Sequence, residues 1–193
     1  LPISLYNYFT EFGLTQIETD FVLGTAGTQV QAKIREVLRA LEGELKGETM
    51  TGVLALVSPS FFDKLISHAK VEEAYKYFAS SGAQPLREDT RRRFPFAGIV
   101  FEEYNATVTL STGGTETLIP EGESIAFPLG TLDTFVTYGA TANLIETVNT
   151  VGLPIYARQL ARPDGSAIEI KTEASPLPIN KRPRLAVRLY SSN

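Results

Sequence analysis

The chain has 193 residues, 43% hydrophobic and 21% charged, a size at which one large domain or two small ones fold without a disulfide or metal staple. It contains no cysteine, which excludes disulfides, thiolate metal sites and cysteine nucleophiles, and fits a reducing compartment. With 18 basic against 22 acidic residues the net charge is −4, so no global field draws it to nucleic acid or an anionic membrane.

No apolar run approaches the ~18 positions of a membrane span, and no basic-then-apolar signal segment opens the sequence. The sequence begins at Leu1 and its one methionine is Met50, from which we expect a longer product with an upstream part.

In chain order, residues 28–46 carry Val30, Ile34, Val37, Leu38, Leu41 and Leu45 at the spacing of one helical stripe, with a polar opposite face that places the helix on a surface. Thr28 with Gln31 resembles a capping box, and Gly47 is a stop signal. Val53 to Val57 are consecutively apolar and predict a strand buried on both faces. Ser58 then stands as N-cap with Pro59 at the first helical position, and Phe61, Phe62, Leu65, Ile66 and Ala69 give the stripe of a helix that runs, after a kink, to about Ser80. A loop spans residues 81–96. Short strands at 99–103, 106–110, 117–119 and 124–127 read as a meander. Residues 153–160, a turn at Pro163, Asp164 and Gly165, and strands at 167–173 and 185–190 predict two closing ribbons.

Ser58 and Ser60, ahead of the chain's only histidine, raise the question of a hydrolase. A nucleophile elbow needs small residues two positions either side of its serine, because the strained turn has no room for a side chain. Here Leu56 and Ser60 flank Ser58, and Ser58 and Phe62 flank Ser60. His68 lies along the same helix, too far down it to serve a serine at its start. Helix capping is the reading for both serines.

The GTAGT segment, 24–28, lacks the lysine of a phosphate loop and the third glycine of a dinucleotide fingerprint, and reads as turn and cap. The pairs Glu72 and Glu73, Glu88 and Asp89, and Glu102 and Glu103 are sequence neighbours, which diverge on a helix or strand. No catalytic, cofactor-binding or metal-ligating residue is assigned, and no cofactor is expected. Two basic clusters remain, Arg91 to Arg93 and Lys181, Arg182 and Arg184. They read as solvated faces or, more sharply, as contacts with carboxylates of a neighbouring subunit, with nucleic acid a distant third.

Six segments in order resemble the lambda-type phage major capsid protein E family: LYNYFTEFGLTQIETDFVL, GVLALVSPSFFDKLISHAKVEEAYKYF, FPFAGIVFEEYNA, IPEGESIAFPLG, ETVNTVGLPIYARQ and SPLPINKRPRLAVRLY, with the long helix between the first two. The resemblance implies an α+β, Hong Kong 97-like capsid fold. It implies a peripheral domain over 1–50 with a spine helix, an axial domain of mixed sheet and helices over 51–140, and a peripheral β ribbon over 141–193.

It further implies a structural subunit that assembles with copies of itself into pentamers and hexamers of an icosahedral shell. Scaffolding or decoration proteins would be further partners, and packaged DNA would lie inside without sequence-specific binding. The location would be the virion, and the host cytoplasm during assembly. An encapsulin-like nanocompartment shell of the same fold is the alternative, and a hydrolase using Ser58 or Ser60 the remote one. Two departures stand out: the amino-terminal arm and most of the extended loop would lie before Leu1, and a proline that many relatives carry near 140–143 is missing.

Overall fold

The structure, a computed structural model, describes residues 7–79, 90–109, 113–163 and 165–193. It is an α+β chain with two compact units, Leu1–Leu132 with Pro183–Asn193, and Asp133–Arg182. In the first unit the elements are α1 (Tyr8–Glu11), β1 (Glu18–Asp20), α2 (Val30–Leu45), β2 (Gly52–Val57), α3 (Pro59–Ser67), α4 (Ala69–Ala79), β3 (Phe94–Phe96), β4 (Ile99–Glu103), β5 (Thr107–Thr109), β6 (Thr115–Thr117) and β7 (Glu123–Leu129). The second unit holds β8 (Phe135–Gly139), β9 (Tyr156–Ala161), β10 (Ile168–Glu173) and β11 (Pro176–Asn180), and the chain returns to the first unit with β12 (Val187–Tyr190).

The first unit is built on a six-stranded mixed sheet of order β1-β12-β7-β2-β4-β3. The pairs β2–β4 and β1–β12 are parallel and the remaining pairs antiparallel. One core joins Val30, Ile34, Val37, Leu41 and Leu45 of α2 and Phe61, Phe62 and Leu65 of α3 to Val53, Ala55, Val57, Ile99, Phe101, Ala126, Val187 and Leu189 of the sheet. The strand residues on that list alternate, so the helices cover a single face.

β2 is therefore not buried on both sides: its burial alternates, with Leu54 and Leu56 half-buried. α2 shares one core with β2 and α3.

Local chemistry explains several further differences. The N-cap of α2 is Gln29, without a side-chain capping bond, because the Thr28 hydroxyl donates instead to Val22 O at 2.9 Å. Two left-handed residues end that helix, Lys46 at φ 53° and Gly47 at φ 91°. The second helical segment breaks at His68, which is extended at φ −66°, ψ 128°. The expected meander does not form, since β2 lies between β4 and β7 while β5 and β6 pair with each other. The last strand does not close a ribbon either: its alternating Val187 and Leu189 fill the sheet between β1 and β7. Most of the expected loop at 81–96 lies outside the described residues, and its end, Phe94–Phe96, is an edge strand whose Pro95 has no N–H to leave unpaired.

The second unit consists of two antiparallel ribbons, β8–β11 and β9–β10, with a connecting segment between β8 and β9. Among its described residues only Thr134 and Ala142 are buried. Two-stranded ribbons are marginal in water when nothing packs on them.

Candidate assembly surfaces

The residues that suggested a nucleophile have hydrogen-bond partners within the fold. Ser58 occupies the N-cap position of α3, but its hydroxyl accepts from Gly122 N at 3.1 Å rather than capping, and the Ser60 hydroxyl accepts from the same N–H at 2.8 Å. The turn before β7 is thereby tied to the start of α3. The His68 ring has other partners: Nδ1 accepts from Lys70 N at 3.2 Å, so Nε2 carries the proton and donates to Thr25 O at 3.1 Å. A cavity of about 190 Å³ at the start of α3 is lined by Ser58, Pro59, Ser60, Tyr104, Asn105, Thr117, Ile119 and Glu121, without His68. Among the described residues His68 has no hydrogen bond to Ser58 or Ser60.

The GTAGT segment is likewise tied down. Gly24 N donates to Asn193 Oδ1 at 3.0 Å, and Asn193 Nδ2 donates to Thr25 Oγ1 at 3.0 Å. Glu72 pairs with Lys76 at 2.8 Å and Glu73 with Lys70 at 3.1 Å, while Glu88 and Asp89 lie outside the described residues. Among the described residues no three His, Asp or Glu side chains gather as metal ligands would. No described helix is long and apolar enough to cross a membrane.

The basic clusters part company. Arg184 pairs with Glu44 of α2 at 2.8 Å, between the buried residues Pro183 and Leu185. Arg92 and Arg93 are exposed beside β3.

Sequence reading missed two features that local periodicity does not encode. One is an ion cluster on the sheet: Arg188 reaches Glu123 Oε2 at 2.8 Å and Glu18 Oε1 at 2.9 Å, with its guanidinium 5.3 Å from the Tyr190 ring centroid. Bonding first to Glu123 and then to Glu18 holds that guanidinium still further above its ordinary pKa. The other is Asp20. Burial works to raise its carboxyl, but hydrogen bonds from the Ser192 side chain and from the Val22 and Ser192 N–H groups, with attraction to Lys33, hold it below the usual carboxylate value.

Two further groups of apolar side chains stand out, one half-buried and one exposed. On the sheet face away from the helices, Leu54 stands beside Val100 and opposite Phe127, and Leu56 opposite Ile125, with Leu129 41% exposed at the end of the row. In the second unit Ile145, Val148, Val151, Leu153 and Ile155 are each more than half exposed, as are Ile168 and Ile170 of β10.

The family model described as phage major capsid protein E matches residues 3–191. The chain belongs to that family. The major capsid protein of Pseudomonas phage KPP10 is 37% identical over 194 residues, covering 95% of this chain and 55% of the relative. The chain thus spans about half the length of that capsid relative. Among solved structures, one described as a capsid protein of a prophage of E. coli CFT073 is 15% identical, with TM-score 0.47 over 82% of this chain and 47% of that one. A virus-like particle from Pyrococcus furiosus is 14% identical, with TM-score 0.35 over 90% and 56%. At such scores no residue correspondence is drawn.

Proposed function

We propose that the chain is a structural subunit of an icosahedral phage or prophage capsid, assembling with copies of itself into pentamers and hexamers around the genome. The observation that carries this reading is the match to the capsid family over residues 3–191. The exposed aliphatic residues of the second unit support it, because a subunit surrounded by neighbours needs surface that a monomer would hide. Each lateral contact would bury on the order of 1,000 Å² or more, and modest affinities multiply when several neighbours engage at once.

The Hong Kong 97-like fold is part of the proposal. The mixed sheet flanked by helices suits the axial role and the ribbons suit the peripheral one. Scaffolding or decoration proteins are further partners in this reading, and DNA is enclosed without sequence-specific contact. The protein would sit in the virion, and in the host cytoplasm while shells form.

Expression of the complete reading frame followed by negative-stain microscopy tests the reading. Closed shells of uniform size are expected. A protein that stays monomeric at every concentration and ionic strength tried would overturn it.

A further inference from the structure

Every residue of β9 and β10 is exposed except Tyr156 and Glu173, which are half-buried. Among the described strands β10 pairs with β9 alone, and its Ile168 and Ile170 are 61% and 68% exposed. A two-stranded ribbon is marginal in water, and its free edge is a row of main-chain donors and acceptors that a further strand can take up.

The turn of the ribbon decides which groups line that edge. Arg162 N donates to Ala167 O at 3.0 Å, so positions 162 and 167 face each other as a hydrogen-bonded pair. Bonded and non-bonded pairs alternate along an antiparallel ladder, and the register runs unbroken from Ile168 opposite Ala161 to Glu173 opposite Tyr156. Glu169 and Lys171 therefore turn their main-chain groups towards β9, while Ile168, Ile170 and Thr172 turn theirs outward.

The side chains add a register. Within the ribbon Lys171 stands opposite Arg158, a pair of like charges that destabilises it, and Glu169 stands opposite Leu160. The run from Ile168 to Glu173, Ile-Glu-Ile-Lys-Thr-Glu, is complementary to its own reverse about Ile170. Ile170 then meets Ile170, Ile168 meets Thr172, and Glu169 meets Lys171 on both sides of the axis. An axis at Glu169 or at Lys171 would instead set two like charges face to face.

We propose that β10 of one copy pairs antiparallel with β10 of a second copy about a two-fold axis at Ile170, joining two ribbons into one sheet of order β9-β10-β10-β9. Ile170 exchanges main-chain hydrogen bonds with its counterpart, and each Glu169 comes to lie beside the other copy's Lys171. The contact is isologous, whereas rings of five or six copies are closed by contacts between different patches, so it goes beyond the shell reading and does not depend on it.

The 193-residue chain has no cysteine, so a single one reports its own pairing. Ile170→Cys under a mild oxidant should give a disulfide-linked dimer, because the Cα atoms of a hydrogen-bonded pair lie about 5.5 Å apart, within disulfide reach. Gln159→Cys, at the position opposite Ile170 within the ribbon, is the control. Two copies of it would be three strand spacings apart, about 14 Å, and should stay reduced. In the Ile170→Cys background, Glu169→Lys or Lys171→Glu alone sets like charges across the axis and should slow crosslinking roughly ten-fold, and the two together should recover the rate. All four positions are exposed, so every variant should keep the circular dichroism melt of the unsubstituted chain. No dimer at 170, equal crosslinking at 170 and 159, single reversals without effect, or a double reversal that stays slow would each overturn the contact. The shell reading is decided separately, by whether particles form.

Discussion

Gly152 shows how much one missing side chain decides. With a Cβ it would collide with main-chain atoms of Gly139 rather than with a flexible side-chain end, so relief requires the connecting segment to lift off the end of β8. Gly152→Ala should therefore destabilise the second unit by about 1–3 kcal/mol, the cost of overpacking where nothing can yield. Hydrogen exchange across residues 135–180 should quicken while α2 keeps its protection; unchanged exchange there would show that the contact does not exist. At Asp20 the argument is electrostatic. Its folded-state pKa lies below its unfolded one, so its contribution is fully present above the ordinary carboxylate value of about 3.9 and is lost as pH falls through the lower folded value. Asp20→Asn should cost stability at pH 7, and the gap to the unsubstituted protein should close in urea titrations carried down towards pH 2. A gap that is constant with pH would mean that the charge does nothing.

Among the elements, β3 has the greatest leverage for its three residues. Phe94, 1% exposed, has its ring centroid 4.8 Å from Tyr75 of α4, 5.9 Å from Phe62 of α3 and 6.5 Å from Phe101 of β4, so one edge-strand side chain ties two helices to the sheet. Phe94→Ala should cost about 3–5 kcal/mol in denaturant unfolding, with α4 losing protection first; a loss under ~1 kcal/mol would mean that α4 is held by other contacts. Periodicity is what made elements legible. The α2 stripe was readable because five buried residues repeat at the helical spacing, and the αL ending was announced by Gly47. β8 and β11 were not, because Pro176 and Pro178 argue against a strand unless their missing N–H groups face away from the single partner, a condition only pairing supplies. β12 alternated legibly, yet nothing local says that it inserts between β1 and β7, strands more than fifty positions away. In β2 the unbroken apolar run predicts burial on both faces; Leu54 and Leu56 instead face away from the helices and are half-buried, and an apolar run does not say what lies against its second face.

For the whole molecule, the candidate surfaces were legible only in part, since a stripe of isoleucine and valine in a sequence does not say which chain will cover it. Charge is more explicit. Arg92 and Arg93 stand exposed on the turn before β3, while Arg184, from the other basic cluster, is already bonded to Glu44. Two exposed cations on a short turn contribute little to folding, because surface ion pairs are worth at most about 1 kcal/mol. They do act on encounter, where complementary potentials speed association and set which neighbour fits. Reversing both in the full-length protein, Arg92→Glu/Arg93→Glu, should leave the melting temperature within about 2 °C, as a change of a few tenths of a kcal/mol implies for a chain of this size. It should slow shell assembly several-fold in low salt, measured by light scattering against time. The deficit should shrink as ionic strength rises past ~0.5 M, where the screening length falls to a few Å. Assembly at the unsubstituted rate in low salt would remove these arginines from the contact, and a deficit that salt leaves untouched would assign the effect to shape rather than charge.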